Sequence, residues 1–141
     1  MKILFVCSAA RMRSFTARQI AIAGGLDAEC AGSDTGSRLP INPHLIADAD
    51  VIFCMEDSHK KTVKKMYTQS EYAQFLQRPL PPTHILNIPD LFNPLDPHLA
   101  WCLVQGVSAT HPHLAMAMLN GAKHLGIKPE CDTSKLLTAG W

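Results

Sequence analysis

The chain of 141 residues has 47% hydrophobic and 18% charged residues, as expected for one globular domain. Its formal net charge is only +1, so no overall field favours nucleic acid as a partner. No apolar segment approaches the roughly 20 residues that span a bilayer, which argues against a membrane partner. We predict a single domain over residues 1–141, with residues 127–141 as a C-terminal tail of unknown role.

The N-terminal stretch predicts a strand, a loop and a helix. Residues 3–6, I-L-F-V, form a short apolar run typical of a strand that is buried on both faces of a parallel sheet. Cys7 ends the run in the pattern C-x5-R-S, in which Arg13 is followed by Ser14. Ser14 stands where a helix N-cap belongs, and apolar residues then recur at helical spacing.

A loop of this kind, at the positive end of a helix, favours a bound anion. Its backbone N–H groups form a concave nest for a phosphate or sulfate ion. The same field stabilises a thiolate at Cys7, and the guanidinium of Arg13 matches two anion oxygens. Cys7 would then lie beneath the phosphorus, aligned for attack. The residues expected to surround the anion are Ser8, Ala9, Ala10, Arg11 and Met12.

The rest of the chain alternates strands with helices. Three further strands are predicted, at residues 26–33, 51–55 and 84–88. Helices are predicted from residue 43 to near Asp48 or Asp50, from a cap at Asp57 or Ser58 to about residue 67, and at residues 71–76, 97–107 and 114–125. This order predicts an α/β fold, with a doubly wound four-stranded parallel sheet, helices on both faces and a phosphate-binding loop after the first strand. The segment R-P-L-P-P at residues 78–82 is interpreted as a stiff connecting loop.

The five cysteines show no paired spacing, which indicates a reducing, cytoplasmic setting. Cys30 and Cys54 lie in apolar runs and are expected in the core. The seven histidines show no metal-ligand spacing, so we predict no metal and no cofactor. The basic cluster at residues 59–65, which begins with His59, is interpreted as a solvated helix face.

Several blocks of the sequence resemble the low-molecular-weight protein tyrosine phosphatases, in particular a short branch of predicted phosphatases. The opening K-I-L-F-V-C-S-A-A-R-M-R-S carries most of the resemblance. Further blocks follow in the family's order: A-G-S-D-T at 31–35, I-A-D-A-D-V-I-F-C-M-E at 46–56, S-H-K-K at 58–61 and I-L-N-I-P-D at 85–90. The resemblance covers roughly the first hundred residues. It implies a cysteine-dependent phosphatase that acts on a phosphotyrosine protein or a small aryl phosphate.

The resemblance also implies roles for individual residues. Cys7 would form a phosphocysteine intermediate, Arg13 would stabilise the transferring group, and Ser14 would donate its hydroxyl to the Cys7 sulfur.

The general acid in the family follows the last strand, where I-P-D-L-F places Asp90. We favour Asp90 over Asp96, because Asp96 also stands where a helix cap belongs. Phe92 corresponds to an aromatic at the mouth of the cleft, but core packing explains it equally well.

Three positions depart from the family pattern. Ala10 replaces an asparagine that braces a left-handed turn, and Phe15 replaces a proline at the helix start. Met12 replaces the second cysteine found in many members, so a protective disulfide is not expected. These changes favour slow catalysis, and they leave open a protein that binds phosphate or phosphotyrosine without turnover.

Two other classes share features of the loop. Thioredoxin-linked arsenate reductases need two further cysteines that relay a disulfide, and no closely spaced pair is present. Sugar-transport phosphocarriers also hold a phosphocysteine after a first strand, but they lack the loop arginine. Arg13 and Asp90 therefore favour hydrolysis.

Overall fold

The computed structural model describes residues 1–130 and confirms the predicted α/β sheet. Its four parallel strands are β1 (Lys2–Cys7), β2 (Asp27–Gly32), β3 (Val51–Cys54) and β4 (Thr83–Ile85). They lie in the order β2-β1-β3-β4. The chain leaves β1 toward one edge for β2 and returns to the other side for β3, so the strand order reverses beside β1. In open α/β sheets such a reversal opens a crevice at the carboxyl ends of the strands.

Helices cover both faces of the sheet. They are α1 (Arg13–Ala23), α2 (Pro43–Asp48), α3 (Asp57–Thr68), α4 (Glu71–Gln74), α5 (Pro97–Ser108) and α6 (Pro112–His124). Along β1, Ile3 and Phe5 are buried with α1, α5 and α6, whereas Leu4 and Val6 are buried with α2 and α3. Successive side chains of a strand point to opposite faces, which explains why this run has no polar alternation.

Two glycines bring α1 and α6 into close contact. A Cβ atom at Gly121 would lie 1.8 Å from the carbonyl oxygen of Ile20, and one at Gly24 would lie 2.0 Å from that of Ala117. No larger side chain fits at either position without moving a helix. The contact fixes α1, and with it the loop that precedes this helix.

Most element boundaries differ from the prediction by one or more residues, and three of these differences bear on the site. Ser14 is not the N-cap: α1 begins at Arg13, and its N-cap Met12 makes no side-chain hydrogen bond. The N-cap of α3 is Glu56, which precedes both of the expected caps, Asp57 and Ser58. Strand β4 ends at Ile85 instead of residue 88, although the backbone N–H groups of Leu86 and Ile88 still donate to the carbonyls of Cys54 and Met55.

The first residues of the predicted tail pack against α5. Ile127 is buried, and the backbone N–H of Glu130 donates to the carbonyl of Pro97 at 3.2 Å. Residues 131–141, which include Cys131 and most of the predicted tail, lie outside the described part of the chain. Among the described helices, none combines the length and apolar character needed to cross a membrane.

Candidate active site

The loop between β1 and α1 forms a concave pocket at the carboxyl edge of the sheet. The residues that line it are Cys7, Ser8, Ala9, Arg11, Met12, Arg13 and Asp90. All seven were predicted from the sequence to belong to the site. The pocket offers about 40 Å³ to solvent, and one water needs roughly 10–15 Å³ on this measure. Its size therefore suits a group of a few heavy atoms, such as a phosphoryl group.

The backbone of the loop presents unpaired donors. Within residues 1–130, no hydrogen bond is donated by the backbone N–H groups of residues 8–12. They precede the N-terminus of α1, where the helix dipole adds partial positive charge. These N–H groups are therefore available to donate hydrogen bonds to an anion.

Cys7 ends β1 at the floor of this pocket, and its side chain is 3% exposed. The Oγ atom of the fully buried Ser14 lies 2.9 Å from the Cys7 sulfur. A thiolate only accepts hydrogen bonds, so the Ser14 hydroxyl is the donor whenever Cys7 is ionised. By contrast, burial raises the pKa of the Cys54 thiol to about 12, although Lys60 lowers it slightly. Cys54 is an inert core residue, whereas Cys7 has a donor for its ionised form.

Arg13 is held by one edge of its guanidinium group. Nη1 donates to Oε2 of Glu56 at 2.6 Å and to the carbonyl oxygen of Ile88 at 2.8 Å. Nε lies 3.9 Å from Oδ1 of Asp90. Within the described residues, Nε and Nη2 make no hydrogen bond. The Nε and Nη2 edge is the one that binds two oxygens of an anion side by side.

Two residues at the start of α3 join this site without having been predicted from the sequence, Glu56 and His59. The backbone N–H of His59 donates to the backbone carbonyl of Glu56 at 3.1 Å, and Nδ1 of His59 accepts the backbone N–H of Glu56 at 3.0 Å. Nε2 of His59 lies 3.0 Å from Oγ of Ser8. His59 is only 2% exposed, so its assignment to a solvated basic face was wrong. The signal was the spacing E-x-x-H directly after a strand, which resembles a capping box.

Asp90 and Asp96 lie in different surroundings. The Asp90 carboxylate is 63% exposed and lines the pocket that holds Cys7. Oδ1 of Asp96 accepts the backbone N–H of His98 at 2.8 Å, as the N-cap of α5. The structure therefore brings Asp90 to the pocket that holds Cys7 and gives Asp96 a capping contact.

Phe92 does not line the mouth of the pocket. Its ring is 5% exposed and belongs to the core between the sheet and α5, so the expected substrate contact is wrong. Burial of the large apolar ring explains this position. The exposed apolar side chains nearby are instead Leu91, which follows Asp90, and Met12.

Ala10 adopts the left-handed backbone conformation, with φ of 58°. This conformation costs a non-glycine residue about 1–2 kcal/mol. Ala10 is 1% exposed and borders a second cavity of about 310 Å³ behind the loop. The other residues around this cavity are Phe15, Arg18, Glu29, Cys30, Arg38 and Leu39. Within residues 1–130, no three His, Cys, Asp or Glu side chains converge as a metal site.

No model of a protein family matches this sequence, and no curated protein matches it. Solved structures do. YwlE arginine phosphatase, as a cysteine-to-serine variant with a phosphorylated active site serine, is 16% identical with a TM-score of 0.50 over 89% of this chain and 96% of that chain. Wzb of Vibrio vulnificus, in complex with benzylphosphonate, is 14% identical with a TM-score of 0.51 over 86% of this chain and 97% of that chain. With its four-stranded parallel sheet and Cys7 at the end of β1, this chain has the fold of the low-molecular-weight protein tyrosine phosphatases.

Proposed function

We propose that the protein is a cysteine-dependent phosphatase that hydrolyses phosphate monoesters through a phosphocysteine intermediate. The main observation behind the proposal is that Cys7, Arg13 and Asp90 line one pocket. Within residues 1–130, the backbone N–H groups of the adjoining loop donate no hydrogen bond. The chain also shares its fold with an arginine phosphatase and with a protein that binds benzylphosphonate.

In the first step, the Cys7 thiolate attacks phosphorus. The S–P bond forms as the bond to the ester oxygen breaks, and the Asp90 carboxylic acid gives its proton to that oxygen. The loop amides and the open edge of Arg13 stabilise the equatorial oxygens. Cys7 and Asp90 both line the pocket, so nucleophile and acid serve the same bound group.

In the second step, water attacks the phosphocysteine. The Asp90 carboxylate takes a proton from this water, and the S–P bond breaks to release inorganic phosphate. The departing sulfur regains the hydrogen bond from Ser14, whose hydroxyl lies 2.9 Å from it. The same hydrogen bond stabilises the free thiolate for the next cycle.

The substrate we propose is protein phosphotyrosine or a small aryl phosphate. Met12 lines the pocket with an exposed apolar side chain, and the exposed Leu91 follows Asp90 in the chain; apolar surface of this kind suits contact with a phenyl ring. Phosphoarginine is a second candidate, because one structure of the same fold is an arginine phosphatase. A cytoplasmic location is proposed with this chemistry, since a reducing compartment keeps Cys7 as a thiol.

A phosphate-binding protein without turnover is the alternative function. The left-handed conformation of Ala10 favours it, because the strain acts on the loop that must hold the transition state. Such a protein would keep the loop amides and Arg13 as an anion site.

Hydrolysis of para-nitrophenyl phosphate in the presence of EDTA tests the proposal. We expect turnover by the parent, none by Cys7→Ser, and parental turnover by Cys30→Ala, which removes another buried thiol. Inorganic phosphate should still raise the melting temperature of Cys7→Ser. Phosphotyrosine peptide and phosphoarginine are then compared as substrates.

The enzyme hypothesis fails if the parent hydrolyses none of these three compounds although phosphate raises its melting temperature. That result would leave the binding function. Equal turnover by Cys7→Ser and the parent would instead remove cysteine chemistry from the mechanism.

A further inference from the structure

We propose that His59 is a positioning residue, which turns the hydroxyl of Ser8 into a fixed hydrogen-bond donor to the phosphoryl group. The proposal rests on the phosphate pocket of the proposed function. Ser8 is half-buried and lines that pocket, and its Oγ lies 3.0 Å from Nε2 of His59. The two residues are 51 positions apart in the sequence, so only the folded chain brings them together.

The surroundings of His59 select one tautomer of its ring. Nδ1 accepts the backbone N–H of Glu56 at 3.0 Å, so this nitrogen carries a lone pair. A neutral imidazole then has its proton on Nε2. Burial and the positive charge of Arg13 lower the pKa of His59, despite opposing effects of Glu56, Asp34 and Asp90. The neutral form with Nε2–H is therefore the one that faces Ser8.

This tautomer determines what the Ser8 hydroxyl does. Its oxygen accepts the Nε2–H of His59, which leaves the hydroxyl proton to be donated elsewhere. Within residues 1–130, Oγ of Ser8 makes no other hydrogen bond. The bound anion is the acceptor that the pocket provides. Without His59 the Ser8 hydroxyl would rotate freely, and anion binding would have to fix its orientation at a cost in entropy.

Substitutions at His59 separate its two hydrogen bonds. An asparagine places its amide oxygen near the position of Nδ1, so His59→Asn keeps the contact to Glu56 and loses the donor to Ser8. A glutamine places its amide nitrogen near the position of Nε2, so His59→Gln keeps the donor to Ser8 and loses the contact to Glu56. A purely structural role would make phosphate affinity follow stability in both variants.

The experiment measures the Kd of inorganic phosphate by calorimetry, the melting temperature, and kcat and KM for para-nitrophenyl phosphate. The proteins are the parent, Ser8→Ala, His59→Asn, His59→Gln and the double variant of Ser8→Ala with His59→Asn. A hydrogen bond to a charged group is worth about a factor of ten or more. We expect Ser8→Ala to raise the Kd about tenfold. His59→Asn should raise it by only about threefold, because the hydroxyl remains and only the ordering among its three rotamers is lost. The double variant should match Ser8→Ala alone.

His59→Gln should bind phosphate within about twofold of the parent and melt at a lower temperature, whereas His59→Asn should melt close to the parent. The ring nitrogen NMR spectrum of the parent should show Nε2 protonated and Nδ1 unprotonated. The inference is overturned if Ser8→Ala leaves the Kd unchanged, or if the effects of Ser8→Ala and His59→Asn add. A parent that binds no phosphate would overturn the inference and the proposed function together, whereas equal binding by parent and variants overturns the inference alone.

Discussion

Arg13 and Glu56 lie 43 positions apart in the sequence, and their side chains form an ion pair with an N to O distance of 2.6 Å. The Arg13 side chain is 2% exposed and that of Glu56 is 46% exposed. A buried guanidinium needs a partner to compensate its lost hydration. Glu56 supplies this charge from the side away from the anion, so Arg13 stays buried and still offers an open edge to phosphate.

Glu56→Gln should weaken phosphate binding and catalysis. The variant keeps a hydrogen-bond acceptor but removes the negative charge beside Arg13. Because the Glu56 side chain is half exposed, the free energy lost with this charge interaction is limited to about 1–2 kcal/mol. We expect kcat/KM for para-nitrophenyl phosphate to fall about tenfold. Asp57→Asn is the matched control, because it breaks an exposed pair with Lys61 at 3.0 Å. Equal effects of the two variants would show that the charge of Glu56 is not needed.

Asp90→Asn should slow substrates according to their leaving group. Phenyl phosphate needs a proton on its departing oxygen far more than para-nitrophenyl phosphate does, so its kcat should fall by at least about a further tenfold. Asp96→Ala should lower the free energy of unfolding by about 1 kcal/mol through loss of the α5 cap. Its leaving-group dependence should remain that of the parent. Equal losses on both substrates in Asp90→Asn would move the acid role to another residue.

Ala10→Asn should stabilise the loop and raise turnover. Asparagine tolerates the positive φ of this position better than alanine does, and the 310 Å³ cavity beside Ala10 has room for its side chain. We expect a gain of about 0.5–1 kcal/mol in the free energy of unfolding, measured by urea denaturation.

Ala9→Gly is the control for Ala10→Asn, because Ala9 is not among the residues with positive φ. This variant should be neutral or destabilising, since glycine adds entropy to the unfolded chain without relieving strain. A stabilising effect at Ala9 as large as that at Ala10 would contradict the strain argument.

The stability of the parent should fall in mildly acidic solution because of His59. Burial and Arg13 hold the pKa of folded His59 below its usual value of 6.5. Between the lowered pKa of folded His59 and its ordinary value in the unfolded chain, the unfolded chain binds more protons than the folded protein. The free energy of unfolding therefore rises with pH up to about 6.5. Below the folded pKa the loss is complete.

His59→Asn should show a flatter dependence of stability on pH over the same range. Burial also lowers the pKa of His84, with a smaller contribution from His111. His84 therefore adds the same pH dependence of stability to both proteins, and the difference between the two proteins isolates the effect of His59. Denaturation by urea at several pH values measures the difference. If the free energy of unfolding had the same pH dependence in both proteins, the pKa of His59 would not differ between the folded and the unfolded chain.

Local sequence determined the sheet and the first part of the site. The run before Cys7 is buried on both faces, and this explains why a parallel sheet was predictable from its composition. Cys7, Arg13 and the loop amides lie within one short stretch, so their proximity needs only a strand, a turn and a helix. The match of I-P-D-L-F likewise placed Asp90 after the last strand, where it lines the same pocket as Cys7.

Only the tertiary structure decided the supporting contacts of this site. Glu56 pairs with Arg13 and His59 meets Ser8 across more than forty positions, and no local pattern encodes such contacts. The burial of Phe92 and the exposure of Leu91 also depend on how the loop after β4 packs against α5. Sequence periodicity gives the direction of a side chain within a regular element, whereas its partner is determined by where separate elements meet in the fold.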